Sequence, residues 1–377
     1  MPNGPTIFLS AGEPSGDVHG AALARALYER WPDARLLGLA GPRMQAEGVE
    51  AIEPFDRLAV MGFAEVIKHL PFFVGLMRKA TRTLTGDGVD LVIPIDYPGF
   101  NLRLAARVKR RGVPVLYYIA PQVWAWHRSR AARMAAVADR LAVILPFEED
   151  VFAEYDANVT FVGHPLADRD EPVQGRKPFC DALDLDPERR ILAIFPGSRA
   201  QEVDRHLQPF CHAAHRVIEA RWHIQPVVAR STDVPHAAYA DAPFPVTDDE
   251  HSLLAHAHAA LVKSGTTTLE TALAGVPMVI AYKTHPLTFW LARRLVDIDH
   301  IGLANLVAGR RIAPELLQDA ATPRALSEAL LPLVDEGPAR REALEGLRTV
   351  QDALEPDGTG TAAARVAALA AELLEGP

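Results

Sequence analysis

Short apolar runs alternate with amphipathic stretches along almost the whole chain, and few folds accept that pattern. Thr6–Ser10, Leu36–Ala40, Leu91–Ile95, Val115–Ile119, Arg140–Ile144 and Val159–Val162 read as strands, with helices expected over Val18–Trp31 and Asn101–Arg111. A buried strand, a helix and then another buried strand is the signature of a parallel sheet covered by helices. Gly163–Phe179 interrupts the alternation; it holds Pro165, Pro172, Pro178 and Gly175 among charges and reads as a linker. Strands resume at Ile191–Phe195, Gln225–Ala229, Ala259–Val262 and Met278–Tyr282.

At 377 residues the chain exceeds the roughly 150 residues of one domain. The expected division is 1–168, 169–355 and a tail, 356–377, whose helix over Thr361–Leu374 packs on a neighbouring domain or subunit. Each half opens with a strand that runs into a turn holding glycine and serine, Ala11–Asp17 and Pro196–Arg199. The expected fold class is therefore α/β, with two Rossmann-like domains facing a cleft and ligands at the carboxyl ends of the strands.

The net charge of −9 argues against nucleic-acid binding. Two cysteines, Cys180 and Cys211, suggest a reducing compartment and no disulfide framework. Neither CxxC nor HExxH occurs, so no metal site and no cofactor is expected. Met1–Pro5 lacks the basic region of a signal peptide, and no window approaches about 18 apolar residues, so no spanning helix is expected.

Ser264-Gly265-Thr266-Thr267-Thr268-Leu269-Glu270 lies where a buried strand feeds a helix. Backbone N–H groups and a helix dipole at such a turn can hold a phosphate, and Glu270 could bond a ribose. A capping box formed by Thr267 and Glu270 is the structural alternative. Arg199, at the start of the next helix pattern after Pro196-Gly-Ser, is placed to pair with a diphosphate, or else simply with Glu202. In the first half, Asp96 follows a strand and could take a proton from a substrate hydroxyl, or cap a helix. Glu13, Ser15 and Asp17 could hydrogen-bond sugar hydroxyls; Ser15 and Asp17 could equally be caps.

Val60, Phe63, Val66, Ile67, Leu70, Phe73, Val74 and Met77 recur at helical spacing, accompanied by Lys68, Arg78, Lys79 and Arg82. Such a stretch can lie on an anionic membrane or simply be core. Phe289, Trp290 and Leu291 beside Arg293 and Arg294 form a similar patch.

Taken in order, these segments resemble the lipid-A-disaccharide synthase family. The motifs are Ser10–Asp17, Ala40–Gly48, Leu58–Gly62, Ile95–Asn101, Ala120–Trp126, Leu145–Glu148, Phe161–Pro165, Pro196–Arg199, Ser264–Thr266, Asn305–Gly309 and Pro314–Gln318. The resemblance implies a GT-B type inverting glycosyltransferase. Its substrates would be UDP-2,3-diacylglucosamine and 2,3-diacylglucosamine 1-phosphate (lipid X), and its products the β-1′,6-linked lipid A disaccharide 1-phosphate and UDP. It implies Asp96 as the essential catalytic aspartate, Arg199, Ser264, Gly265, Thr266, Thr267 and Glu270 at UDP, and a functional asparagine at Asn305, grouped with Glu13, Ser15 and Asp17 as acceptor or sugar contacts. Val60, Met61, Phe63, Phe72, Phe73, Phe289 and Trp290 are the residues expected at acyl chains or membrane. The expected location is peripheral, on the cytoplasmic face of the inner membrane, with a homo-oligomer open. Where many members carry a second acid this chain has Gly99, which leaves Asp96 as the only acid in Ile95–Asn101. The alternatives are another UDP-N-acetylglucosamine-handling GT-B enzyme, or a non-catalytic nucleotide- or lipid-binding protein of the same fold.

Overall fold

The computed structural model describes residues 4–55, 70–124, 129–169, 172–285, 289, 299–356 and 360–376. The chain forms two compact units, Met1–Asp168 joined by Pro356–Pro377, and Arg169–Glu355.

In the first unit the strands are β1 (Thr6–Ser10), β2 (Arg35–Leu39), β3 (Glu50–Ala51), β4 (Leu91–Pro94), β5 (Leu116–Tyr118), β6 (Arg140–Val143) and β7 (Val159–Phe161). One sheet runs β3-β2-β1-β4 and a second β5-β6-β7. Parallel bridges Val92–Val115 and Ile95–Tyr118 join them edge to edge. In the second unit β8 (Arg190–Phe195), β9 (Ile224–Ala229), β10 (Val246–Thr247), β11 (Ala257–Lys263), β12 (Met278–Tyr282) and β13 (Glu315–Leu317) form one sheet in the order β10-β9-β8-β11-β12-β13. Every pairing is parallel.

Counted within each unit, both orders begin 3-2-1-4-5-6, that of a dinucleotide-binding Rossmann sheet. The direction of strand addition reverses between β1 and β4, and again between β8 and β11. Ligands in such sheets bind beyond the carboxyl ends of the strands at that reversal. The four loops singled out from the sequence follow these four strands.

The central strands are fully buried: Ile7, Phe8 and Leu9 in β1, Leu91–Ile93 in β4, Ile191–Ile194 in β8 and Ala259–Val262 in β11 are all at 0% exposure. Burial of each Ile, Leu or Phe contributes about 1.5–3 kcal/mol. The helix before residue 31 spans Pro14–Arg30, starting a turn earlier than its apolar pattern suggests, because Pro14 suits the first helical position.

The linker is shorter than expected. Gly163, His164 and Leu166 are buried, with Leu166 N–H donating to His164 Nδ1 at 3.2 Å. Gly163 has φ +83°, and a Cβ there would stand 2.7 Å from the Arg365 guanidinium and 2.8 Å from Pro356. At the other end a helix, Arg176–Ala182, buries Phe179. Arg176 anchors it by donating to the carbonyls of Pro187, Arg189 and His256.

The last helix, Ala362–Glu375, packs on Pro14–Arg30 of the first unit through Ala362, Ala363, Val366, Ala367, Leu369 and Ala370. Its alanines let the helices approach closely. Ala362 N–H donates to Asp168 and Arg365 Nε to Val162 O, fixing its entry.

The amphipathic stretch divides into a buried and an exposed part. In the helix Leu70–Gly86, Leu76, Met77, Ala80 and Leu84 are buried with Phe8, Val92, Phe100 and Leu104, so that part of the stripe is core rather than membrane face. Phe72 and Phe73 are half-buried against the same cluster. Val74 is 43% exposed, and Arg78, Lys79 and Arg82 are exposed. Val60, Met61, Phe63, Lys68 and Trp290 lie outside the described residues; Phe289 is half-buried. No helix among the described residues is long and apolar enough to cross a membrane.

Candidate active site

In the first unit Asp96 stands two residues beyond β4, and its conformation is imposed. Asp96 and Tyr97 have φ of +45° and +50°, left-handed values that side chains other than glycine adopt at a cost. Backbone partners hold them there. Asp96 N–H donates to Tyr118 O at 3.0 Å, and Ile95 N–H to Ser10 O at 2.9 Å. Asn101, wholly buried, donates from Nδ2 to the carbonyls of Asp96 (2.8 Å), Ser10 (3.0 Å) and Ile95 (3.2 Å). Its Oδ1 accepts from Ser10 Oγ at 2.6 Å. Tyr117 OH donates to Asp96 O at 2.8 Å. Asn101 thus ties the end of β1 to the end of β4, a role visible in the sequence only as a polar residue on an otherwise apolar helix turn.

Asp96 does not cap the next helix. The N-cap of Pro98–Lys109 is Tyr97, with no side-chain capping bond. Burial, and then the negative charge of Glu13, push the Asp96 carboxyl up to about 6, while a backbone hydrogen bond from Tyr97 pulls it down. Gly12 lets the two loops close: a Cβ there would lie 2.2 Å from the Tyr97 ring. Glu13 and Ser15 are exposed at the start of the helix Pro14–Arg30.

Asp17 is corrected. It is buried, and its two oxygens accept from Arg43 N–H (2.9 Å) and Met44 N–H (3.0 Å), the first turn of the helix Pro42–Ala46. It caps a neighbouring helix and is not available to a sugar.

In the second unit a cavity of about 240 Å³ opens beyond β8 and β11. The turn Pro196–Ser198 and the residues Gly265–Thr267 line it together with Glu202, Glu250, Lys263 and Glu270. The two loops that the sequence offers as nucleotide contacts therefore share one cavity. The capping box does not form: Thr266 is the N-cap, without a side-chain bond, and Glu270 pairs with Arg169 at 3.1 Å. Thr268 Oγ1 donates back to Gly265 O at 2.8 Å.

Arg199 is exposed at the N-cap of the long helix Ala200–Ala220. It is not bridged to Glu202, which pairs with Lys263 at 2.8 Å. Burial alone would raise the Glu202 carboxyl; the Lys263 bond and charge outweigh it and hold it below the usual range. Glu250 is pushed up to about 7 by burial and by Glu270. Burial lowers His206 to about 4. The neutral ring bridges Glu202 O (2.7 Å) and Lys283 N–H (2.9 Å). Lys263, Glu202 and Glu250 were not anticipated as pocket residues; a lysine closing a buried strand was the available signal.

Asn305 is also corrected, and Ser264 turns inward. Ser264 is buried and its hydroxyl donates to Ile301 O at 2.8 Å. Asn305 is fully buried. Its Nδ2 donates to Ala313 O (2.9 Å) and Glu315 Oε1 (2.7 Å), and its Oδ1 accepts from Ile312 N–H (2.8 Å) and Ala313 N–H (2.9 Å). Asn305 has no hydrogen-bonding position left for a ligand, and the buried Ser264 hydroxyl has spent its one donor and keeps only acceptor capacity.

The architecture is that of GT-B glycosyltransferases. It aligns with a crystal structure of the glycotransferase of kitacinnamycin at TM-score 0.66 and 19% identity, covering 99% of both chains. It also aligns with MurG of Acinetobacter baumannii at TM-score 0.56 and 16% identity, covering 97% of this chain and 98% of that one. A family model, lipid-A-disaccharide synthetase, matches residues 7–368. Proteins named lipid-A-disaccharide synthase from Acidobacterium capsulatum and Geobacter sulfurreducens are 40% and 39% identical, over 100% and 98% of this chain and 98% and 97% of theirs. The chain belongs to the lipid-A-disaccharide synthase family. It is a glycosyltransferase of lipid A disaccharide synthesis.

Proposed function

We propose that this chain transfers 2,3-diacylglucosamine from its UDP derivative to the 6-hydroxyl of 2,3-diacylglucosamine 1-phosphate. The first unit takes the acceptor and the second holds UDP. The acceptor oxygen attacks the anomeric carbon from the face opposite UDP. The new C–O bond forms as the bond to the diphosphate breaks, and the anomeric centre inverts. Asp96 receives the hydroxyl proton. A carboxyl raised to about 6 is a better base than an ordinary one and is still largely ionised at neutral pH. UDP leaves with its negative charge stabilised by Arg199 and by the backbone N–H groups after Gly265.

The observation that carries this reading is Asp96, an acid held on strained backbone at the sheet's reversal point and tuned toward neutrality. Glu13 restores a second carboxylate beside it, from the neighbouring loop rather than from position 99. Glu13 and Ser15 are the exposed groups of that loop and serve as acceptor contacts. With acylated substrates the enzyme works peripherally, on the cytoplasmic face of the inner membrane, attached through the exposed part of the Leu70–Gly86 helix. The test is turnover by purified protein with both acylated substrates, read as UDP release and disaccharide formation. Failure of both, with a folded protein, would sink the assignment.

A further inference from the structure

The carboxylate of Glu202 is bound as an anion in the cavity would be. Its Oε2 accepts from Ser198 N–H at 3.1 Å, in the turn between β8 and the helix Ala200–Ala220. Its Oε1 receives the Lys263 ammonium at 2.8 Å. A backbone N–H of a strand–helix turn together with an ammonium is a donor set suited to a phosphate group. Gly197 permits this approach: its φ is +132°, and a Cβ there would stand 2.5 Å from Glu202 Cβ.

Lys263 also faces the second loop. Its Nζ lies 3.6 Å from where a Cβ would stand on Gly265, and 5.6 Å from the centre of the Tyr282 ring. The lysine and Glu202 side chains are only 15% and 16% exposed. Among the described residues lining the cavity Lys263 is the only Lys or Arg, against Glu202, Glu250 and Glu270. Those acids are compensated: Glu202 by Lys263, Glu270 by Arg169, and Glu250 by a carboxyl pushed up to about 7. A diphosphate entering the cavity would meet little net repulsion, and Lys263 becomes free to pair with it as Glu202 leaves.

We propose that Lys263 binds the diphosphate of the sugar nucleotide, and that Glu202 occupies the same donors until the nucleotide displaces it. The inference rests on the reading of this cavity as the UDP site. It adds a cation that the resemblance did not assign. The competing explanation is a structural ion pair that only ties β11 to the turn after β8.

The two explanations predict opposite signs for one substitution. Glu202→Gln removes the competing anion, so UDP should bind several-fold more tightly in calorimetric titration at fixed ionic strength. A structural pair predicts weaker or unchanged binding. Lys263→Met should weaken UDP roughly 10-fold or more, leave uridine affinity unchanged, and be rescued in part by Lys263→Arg. Equal losses for UDP and uridine, or unchanged UDP affinity, would overturn the proposal while the UDP site stands. Absence of UDP binding by the unmodified protein would overturn the cavity assignment and this inference together. Should Lys263→Met not fold, Glu202→Gln decides alone by its sign.

Discussion

Asn305 donates to Glu315 Oε1 at 2.7 Å, and the same carboxylate accepts Ile301 N–H (3.1 Å) and Gly302 N–H (3.0 Å). Ile301 O in turn accepts the Ser264 hydroxyl. A chain of hydrogen bonds thus runs from Asn305 to the start of the nucleotide loop.

Asn305→Ala would strand the N–H groups of Ile312 and Ala313 in a buried site. Leaving such groups unpaired should cost about 2–3 kcal/mol. Because the damage reaches Ser264, UDP affinity should fall together with melting temperature. Lost UDP binding with the melting temperature kept would make Asn305 a direct ligand.

Asp96 carries a prediction about stability as well as rate. Its folded-state carboxyl is raised to about 6, above its unfolded value, so the folded form disfavours the charge. The cost is absent below the unfolded pKa and grows as pH rises through the interval up to about 6, then stays constant. Asp96→Asn removes it. The variant should therefore turn over roughly 100-fold more slowly, keep UDP binding, and be more stable than the parent near about pH 8, by no more than about 3 kcal/mol. Near about pH 4 the gap should close. Parental kcat/KM should fall on the acid side with a midpoint near 6. Undiminished turnover, or a variant less stable at alkaline pH, contradicts the assignment.

What could be read in the sequence and what could not follow from the reach of each interaction. Strand alternation is local, and it located β1, β4, β8 and β11 and the loops after them. Asp96 was legible because an acid directly follows a buried run. Asp17 was not: its partners lie 26 and 27 residues away, in a helix whose position only the folded sheet determines. An acid in a polar loop looks the same whether it faces a sugar or a helix end. Lys263 was hidden by its strand, and sequence proximity offered Arg199, three residues away, as the alternative partner of Glu202.

Arg199→Ala should weaken UDP binding and slow turnover together. A charge-assisted contact to a diphosphate is worth about 1.5–3 kcal/mol. The side chain is exposed, so its removal should leave melting temperature within the small range of surface changes. Calorimetry giving parental UDP affinity would remove Arg199 from the donor site.

Membrane attachment is best tested away from Phe72 and Phe73, since both pack on the core and their loss would lower stability whatever else it did. Val74 is exposed, and Arg78 and Arg82 follow at helical spacing on the same stripe, also exposed. An apolar residue beside two cations suits the boundary of an anionic bilayer, with each cation near the surface worth about 1 kcal/mol. The combined variant Val74→Ser, Arg78→Gln, Arg82→Gln should float poorly with anionic vesicles and keep its melting temperature. Parental binding should weaken with added salt, because charge reaches only about 8–10 Å. Flotation equal to the parent at low salt would place the attachment elsewhere on the molecule and end this reading of the helix.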